Sequence, residues 1–138
     1  MTIRNLQHYA LTVPDVAIGA KFYTDFGLGA CADGDRAVLR CEGRDQDQII
    51  LLEGPRKQLH HIALGTRSDD LAALKARLAA ARVALVDAPQ GSEGDGLWFH
   101  DPDGVLVNVR VAEAAPWRCA PQWQIKTPGH TPRMGRPG

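Results

Sequence analysis

The sequence predicts an α+β fold in which two βαβββ modules form a curved mixed sheet around a cup, with the helices outside. A short segment recurs, since Leu6–Thr12 matches Leu59–Gly65 at a fixed offset. Each copy alternates apolar and other residues, as a half-buried strand does, and a helical pattern follows it. One module could cover one sheet face with one helix, so two modules side by side give a sheet that curves around a hollow.

The first module contains a helix and two later strands. Asp15 is the expected N-cap and Gly27 the expected stop. The inward stripe of the helix comprises Val16, Ala20, Tyr23 and Phe26. Strand-like runs follow at residues 36–41 and 48–53.

The second module repeats this order. Ser68 is the expected helix cap, because a hydroxyl can accept a hydrogen bond from the first turn. The inward stripe comprises Leu71, Leu74, Leu78 and Ala81. Strand-like runs follow at residues 84–87, 96–100 and 105–111, with the turn Asp101–Gly104 before the last.

We expect one domain over residues 1–112, with modules at about 1–55 and 56–112, and a Pro-rich extended tail or linker over 113–138. Five of the nine prolines lie in the tail, which has few branched aliphatic residues. Such a composition cannot build a core of its own. The alternative is an arm that packs on a partner domain through Trp117 and Trp123.

Composition excludes several classes of protein. Sixteen basic and sixteen acidic residues give a pI of about 7.0, so the broad positive field of a nucleic-acid-binding protein is absent. No apolar run is long enough for a membrane span. Three cysteines without a CxxC pair argue against a disulfide framework, which favours a cytoplasmic location.

Alternation along the strands brings polar residues to the inner face of the sheet. Tyr9 and Leu11 take the helix side of the first strand, which leaves His8 on the inner face. The same parity turns His61 inward in the fifth strand and Asn108 and Arg110 inward in the last. Ala10 and Ala63 flank the two histidines on this face, and small neighbours leave room for a ligand.

With this repeat and these inward histidines, the sequence resembles the vicinal oxygen chelate superfamily, which includes glyoxalases, bleomycin resistance proteins and type I extradiol dioxygenases. The likeness extends over residues 4–112 and is greatest to an extradiol dioxygenase domain. It rests on four motifs: His8–Asp15, Lys21–Leu28, Leu59–Leu64 and the turn Asp101–Gly104.

The resemblance implies a divalent metal, usually Fe(II) in dioxygenases, held by two imidazoles and one carboxylate with positions open for substrate and O₂. The family's first two ligands fall on His8 and His61. Its carboxylate falls on Asn108, a neutral amide and hence a degenerate third ligand. Glyoxalases use a further glutamate, for which Glu53 is a weaker candidate.

Substrate contacts are expected around the same hollow. A small aromatic or other small-molecule ligand would lie between Trp98, Ala10 and Ala63. Trp98 stands where extradiol enzymes have a tyrosine. Arg110 could meet an anionic group of the substrate, and His100 beside Asp101 could form an acid–base pair.

Two classes of function follow. The first is a metal-dependent ring-cleaving dioxygenase relative, or a glyoxalase-like lyase, with a degenerate metal site. The second is a non-catalytic protein without metal. It would be either the N-terminal-type scaffold of a two-domain dioxygenase or a small-molecule binder of the resistance type. The expected partner is a second copy of the chain or a second domain of the same fold.

Overall fold

The computed structural model describes residues 2–90, 92 and 94–115. They form two helices and seven strands, in an order that follows the predicted modules. The elements are β1 (Ile3–Val13), α1 (Val16–Asp25), β2 (Gly29–Asp33), β3 (Arg36–Arg40), β4 (Asp47–Glu53), β5 (Gln58–Thr66), α2 (Ser68–Ala80), β6 (Leu97–His100) and β7 (Leu106–Val111).

One curved mixed sheet contains all seven strands in the order β2-β3-β4-β1-β5-β7-β6. The two copies of the repeated segment, β1 and β5, are antiparallel neighbours at its centre. Parallel pairs flank them, β1 with β4 and β5 with β7. The predicted α+β class and the curved mixed sheet are therefore confirmed. The repeat places its two inward histidines on adjacent strands.

The core lies between α1 and the sheet. Val13, Leu39 and Leu51 are buried there, and Tyr9 and Val16 pack against them. The Asp15 side chain accepts a hydrogen bond from the backbone N–H of Ile18 at 3.1 Å, which confirms the predicted cap of α1. Phe26 is exposed instead of inward, because α1 ends one residue earlier at Asp25.

The second module differs from prediction at two points. The N-cap of α2 is Arg67, and Ser68 is the first helical residue, with its hydroxyl directed to Asp69. The run at residues 84–87 forms only an isolated bridge, from Leu85 to Phe99, instead of a strand. The stripe of Leu71, Leu74 and Leu78 is half-buried, as predicted, whereas Ala81 is exposed.

Strand β2 was not predicted from the sequence. All five of its residues are exposed, because it forms the sheet edge and only β3 pairs with it. An exposed edge strand lacks the apolar alternation that reveals buried strands. The turn before β7 is as predicted, with the Asp101 carboxylate accepting from the backbone N–H groups of Asp103 and Val105.

Residues 112–115 follow β7 and lie against the sheet. Asn5 donates to the carbonyl of Ala112, and the buried Gln7 donates to that of Glu113. The buried Gln46 accepts from the N–H of Ala115. The rest of the predicted tail, with Trp117 and Trp123, lies outside the described residues. In the described part of the chain, neither helix is long and apolar enough to cross a membrane.

Candidate functional site

The inner face of the sheet contains a cavity of about 100 Å³. We call it the cup. Six strands and the segment before β6 supply its lining, which comprises His8, Arg36, Asp47, Ile50, Leu52, His61, Gln90, Ser92, Trp98, Asn108 and Arg110. The strands bring these residues together from distant positions: Ala63 on β5 pairs with both His8 and Asn108, and Asn108 pairs with Trp98.

The two histidines of the repeat are in direct contact. His8 Nε2 lies 3.0 Å from His61 Nε2, and the rings meet edge to face at 77°. Both residues are buried, with 6% and 5% of their surface exposed. At this distance one nitrogen donates a hydrogen and the other accepts it. Both rings lie on one face, as the parity argument expected, and the structure adds that they are within hydrogen-bond distance.

A third imidazole extends this contact. His60 Nδ1 lies 2.8 Å from His61 Nδ1, so both ring nitrogens of His61 have a histidine partner. The pKa of His61 is lowered to about 3, chiefly by burial and then by the positive potential of His8, His60 and Arg110. Burial also lowers the pKa of His60. His61 is consequently a neutral imidazole at physiological pH.

Asn108 is committed to the backbone. Its side-chain amide donates to the carbonyl of Asp95 at 3.1 Å and to that of Leu97 at 3.2 Å. The residue is only 3% exposed. Both amide hydrogens therefore fasten the segment entering β6 to strand β7. An aspartate or glutamate at this position would face the same carbonyls without a hydrogen to donate.

The histidine pair has spacing suited to a metal. Two nitrogens, each about 2.1 Å from one cation at a right angle, lie about 3.0 Å apart. The neutral imidazole of His61 could supply one such nitrogen.

The remaining lining does not suit a divalent cation. No group of three His, Cys, Asp or Glu side chains that could hold a metal exists among the described residues. Arg36 and Arg110 line the cup, and the one carboxylate among its described lining residues, Asp47, is paired with Arg40 at 2.7 Å. Since hard and borderline cations draw much of their affinity from carboxylate charge, the described lining of the cup does not fit a divalent metal.

Trp98 forms the wall beside the histidines. Its ring meets that of His61 edge to face, with centroids 5.0 Å apart. It is 4% exposed, and within the described structure its buried indole N–H has no acceptor. Trp98 and Arg110 thus lie at the cup as the sequence analysis expected.

Four other candidates do not line the cup. Ala10 and Ala63 are fully buried beneath it. Glu53 is exposed and has the parity of Ile49 and Leu51, which places it on the helix side of β4. His100 lies exposed at the end of β6. At Glu53 the strand register decides the face, because a slip of one residue would turn the side chain to the other side of the sheet.

Sequence reasoning missed several lining residues. Ile50 and Leu52 alternate with the core residues of β4, so the period-two pattern could have found them. Gln90 and Ser92 come from irregular chain, where no periodic signal exists. Arg36 lies at the cup because β3 is close to β1 in the strand order of the sheet, and the sequence does not reveal that order.

Comparison with known proteins identifies the relatives of this fold. The profile of the Glyoxalase/Bleomycin resistance protein/Dioxygenase superfamily matches residues 5–109, which is most of the chain. The chain belongs to this superfamily. Its member from Cupriavidus necator named metapyrocatechase 2 is 35% identical over 114 residues, which cover 79% of this chain and 34% of that protein.

Solved structures of the superfamily share the fold. The Mn(II)-bound glyoxalase from Novosphingobium aromaticivorans superimposes with a TM-score of 0.71 at 25% identity, covering 86% of this chain and 42% of the other. An extradiol ring-cleaving dioxygenase from B. fuscum gives 0.70 at 23% identity, covering 85% and 35%. The superfamily chain described here thus spans about a third to two fifths of the length of these relatives.

Proposed function

We propose that this chain is the non-catalytic module of an extradiol ring-cleaving dioxygenase, a copy of the fold that supports a second, metal-bearing copy. One observation carries the proposal. The resemblance assigns the third position of the family's ligand set to Asn108, and its amide donates to two backbone carbonyls. In the described part of the chain, the cup therefore has the histidine pair without a third side chain that would complete a metal site.

The length of the relatives supports this role. The chain covers 34% of metapyrocatechase 2 and 35% of the B. fuscum dioxygenase, so each has room for another domain of this size. In such an arrangement the divalent metal and the aromatic substrate belong to the other domain. The part of this chain is to fold stably and present a rigid sheet.

The hydrogen bonds of the cup suit a structural role. Each ring nitrogen of His61 contacts another histidine, His8 on one side and His60 on the other, and Asn108 joins β7 to the segment before β6. Hydrogen bonds between buried polar side chains make a core rigid and specific. The same side-chain positions that hold metal in an active copy would hold strands together in this one.

Metal analysis of the purified 138-residue chain tests the proposal. After anaerobic loading with Fe(II), Mn(II) or Zn(II) and gel filtration, we expect far less than one metal ion per chain. We also expect no yellow ring-fission product from catechol. One tightly held ion per chain, with ring-fission product, would instead assign the dioxygenase activity to this chain.

A designed variant tests whether the missing carboxylate is the reason that the chain binds little metal. Asn108→Glu supplies an anion beside the histidine pair, so loading should raise its bound metal above that of the unmodified chain. Gln58→Glu makes the same chemical change on the exposed start of β5 and should bind no more metal than the unmodified chain. Equal metal content in all three proteins, at one ion each, would contradict the role given to Asn108.

A further inference from the structure

We infer that the edge strand β2 is the surface through which two copies of this chain associate, by antiparallel pairing of β2 with β2 of the second copy. The pairing would join two seven-stranded sheets into one continuous sheet around a two-fold axis. The inference goes beyond the supporting role and does not depend on it, because none of the described residues that line the cup belongs to β2.

The first observation is that β2 has an unpaired backbone edge. Within the described structure only β3 pairs with it, and all five of its residues are exposed. The opposite edge of the sheet is covered instead, because Leu85 forms a bridge to Phe99 of β6. The N–H of Val86 also donates to the carbonyl of Trp98 in that strand, at 2.8 Å. The outward N–H and C=O groups of an edge strand are a template for another strand, so β2 is the edge at which a partner can pair.

The second observation is that β2 lacks the features by which edge strands resist pairing. Such features include proline, lysine, bulges and very short strands. The strand has the sequence Gly-Ala-Cys-Ala-Asp, an ordinary length of five residues and an unbroken register with β3. Its one charged residue, Asp33, accepts a hydrogen bond of 2.7 Å from Arg36 in the neighbouring strand, which neutralises it. The composition of β2 therefore does not repel a second strand.

The third observation is that β2 is complementary to itself. In an antiparallel pair with its two-fold axis at Cys31, Ala30 lies opposite Ala32 of the second copy, and Gly29 lies opposite Asp33. Gly29 has no side chain, and a Cβ there would meet one backbone atom only, at 3.9 Å, so the Asp33 side chain has room. All five residues thus have a counterpart of compatible size, which is the reason that we assign the edge to a second copy.

The fourth observation is that the pairing would extend the apolar layer beneath α1. On the helix side of the sheet, Ala30 is paired with Leu39, and Ala32 is paired with Ala37. Leu39 and Ala37 are buried in the core, whereas the two alanines at the edge are exposed. The second copy would place its own alanines beside them, so the apolar rows would continue from one core into the other.

Sedimentation velocity over a series of chain concentrations tests the association. A single edge strand gives a small interface, so we expect a dissociation constant in the micromolar range and a limiting mass of about 30 kDa, twice the 15.0 kDa of one chain. A chain that remains monomeric up to millimolar concentration would overturn the inference.

A charged substitution tests whether β2 is the interface. Ala32→Lys places a cation in the row of alanines and should weaken the dimer at least about tenfold, since lysine on an edge strand opposes pairing. Ala76→Lys makes the same change at an exposed position of α2 and should dimerise as the parent does. Urea denaturation checks that both variants remain folded. Unchanged affinity in a folded Ala32→Lys, or an equal loss in both variants, would refute the β2 interface.

Cross-linking with a short bis-maleimide locates the two-fold axis in chains whose edge carries no lysine. Opposed Cα atoms of antiparallel strands are about 5 Å apart, so the exposed Cys31 should bridge to its copy in the chain with Cys41→Ser and Cys119→Ser. In the control with Cys31→Ser and Cys119→Ser, strand spacings place the two copies of Cys41 roughly 25 Å apart, too far to bridge.

N-ethylmaleimide first shows that both thiols react, so that a difference in cross-linking reports distance. We expect a covalent dimer through Cys31 and little through Cys41. No covalent dimer through Cys31, or equal yields through the two cysteines, would overturn the pairing of β2 with its copy even if the chain dimerises.

Discussion

At the scale of single residues, the side-chain nitrogen of Asn108 distinguishes this site from one that could bind a metal through a carboxylate. Its nitrogen donates two hydrogen bonds to backbone carbonyls, where a carboxylate would offer none. The sequence alone identified the residue as a departure from the family's ligand set. The structure shows that the amide instead joins β7 to the segment that enters β6.

Asn108→Asp should destabilise the domain. The change leaves two buried carbonyls without a donor and places a carboxylate beside them, so the free energy of unfolding should fall by about 2–4 kcal/mol. Urea denaturation measures this. Gln58→Glu, the same amide-to-acid change on an exposed residue, should stay within about 0.5 kcal/mol of the parent. Equal stability of both variants would contradict the role of the amide.

His61 should make stability depend on pH. Its pKa is lowered from 6.5 to about 3 in the folded chain. Between these values the unfolded chain binds more protons, so stability is complete above about pH 6.5 and falls as the pH drops toward 3, by up to about 1.4 kcal/mol per pH unit.

Urea denaturation between pH 3 and pH 6.5 tests whether His61 causes this pH dependence of stability. His61→Gln should flatten the dependence, because the buried group that resists protonation is gone. His100→Gln replaces the exposed histidine at the end of β6 and should leave the slope intact. A slope that is the same in the parent and in His61→Gln would show that other groups produce it.

At the scale of secondary-structure elements, the two helix N-termini show that residue type predicts one N-cap correctly and the other not. Asp15 caps α1 through the N–H of Ile18, as its residue type predicts. Ser68 has an equally suitable residue type, but α2 starts one position earlier and takes Arg67 as its cap. Sequence patterns identify helices well and their terminal residues less well, since neighbouring residues can take the same role.

Paired substitutions separate the real cap from the apparent one. Asp15→Ala should lower the free energy of unfolding by about 1 kcal/mol, because the N–H of Ile18 loses its acceptor. Ser68→Ala should change it by less than about 0.5 kcal/mol, since Ser68 caps no backbone group. Thermal denaturation checks both, and a larger effect at Ser68 than at Asp15 would reverse the assignment.

At the scale of the whole molecule, buried amide side chains fix the path of the chain after β7. Gln46 accepts from Ala115 and donates to the carbonyl of Gln7, which itself donates to Glu113. These bonds join the end of the second module to strands and loops of the first. They hold residues 113 and 115 against the sheet.

Gln46→Leu should loosen the attachment of Ala115 to the sheet. The N–H of Ala115 loses its acceptor, so its hydrogen exchange should accelerate and the free energy of unfolding should fall by about 1–3 kcal/mol. Gln48→Leu is the matched control, because the buried Nε2 of Gln48 has no partner within the described structure. An apolar residue there should be neutral or stabilising. Unchanged exchange at Ala115 in Gln46→Leu would refute the anchoring role.

The sequence by itself determined the α+β class, the two-module repeat and the inward direction of His8, His61, Asn108 and Arg110. These follow from the period of two along each strand and from the repeat itself. Only the tertiary structure decided the 3.0 Å contact between the imidazoles, the partners of Asn108 and the small size of the cup. The physical reason is that alternation fixes which face a side chain takes, whereas sheet order and register fix which residues meet there.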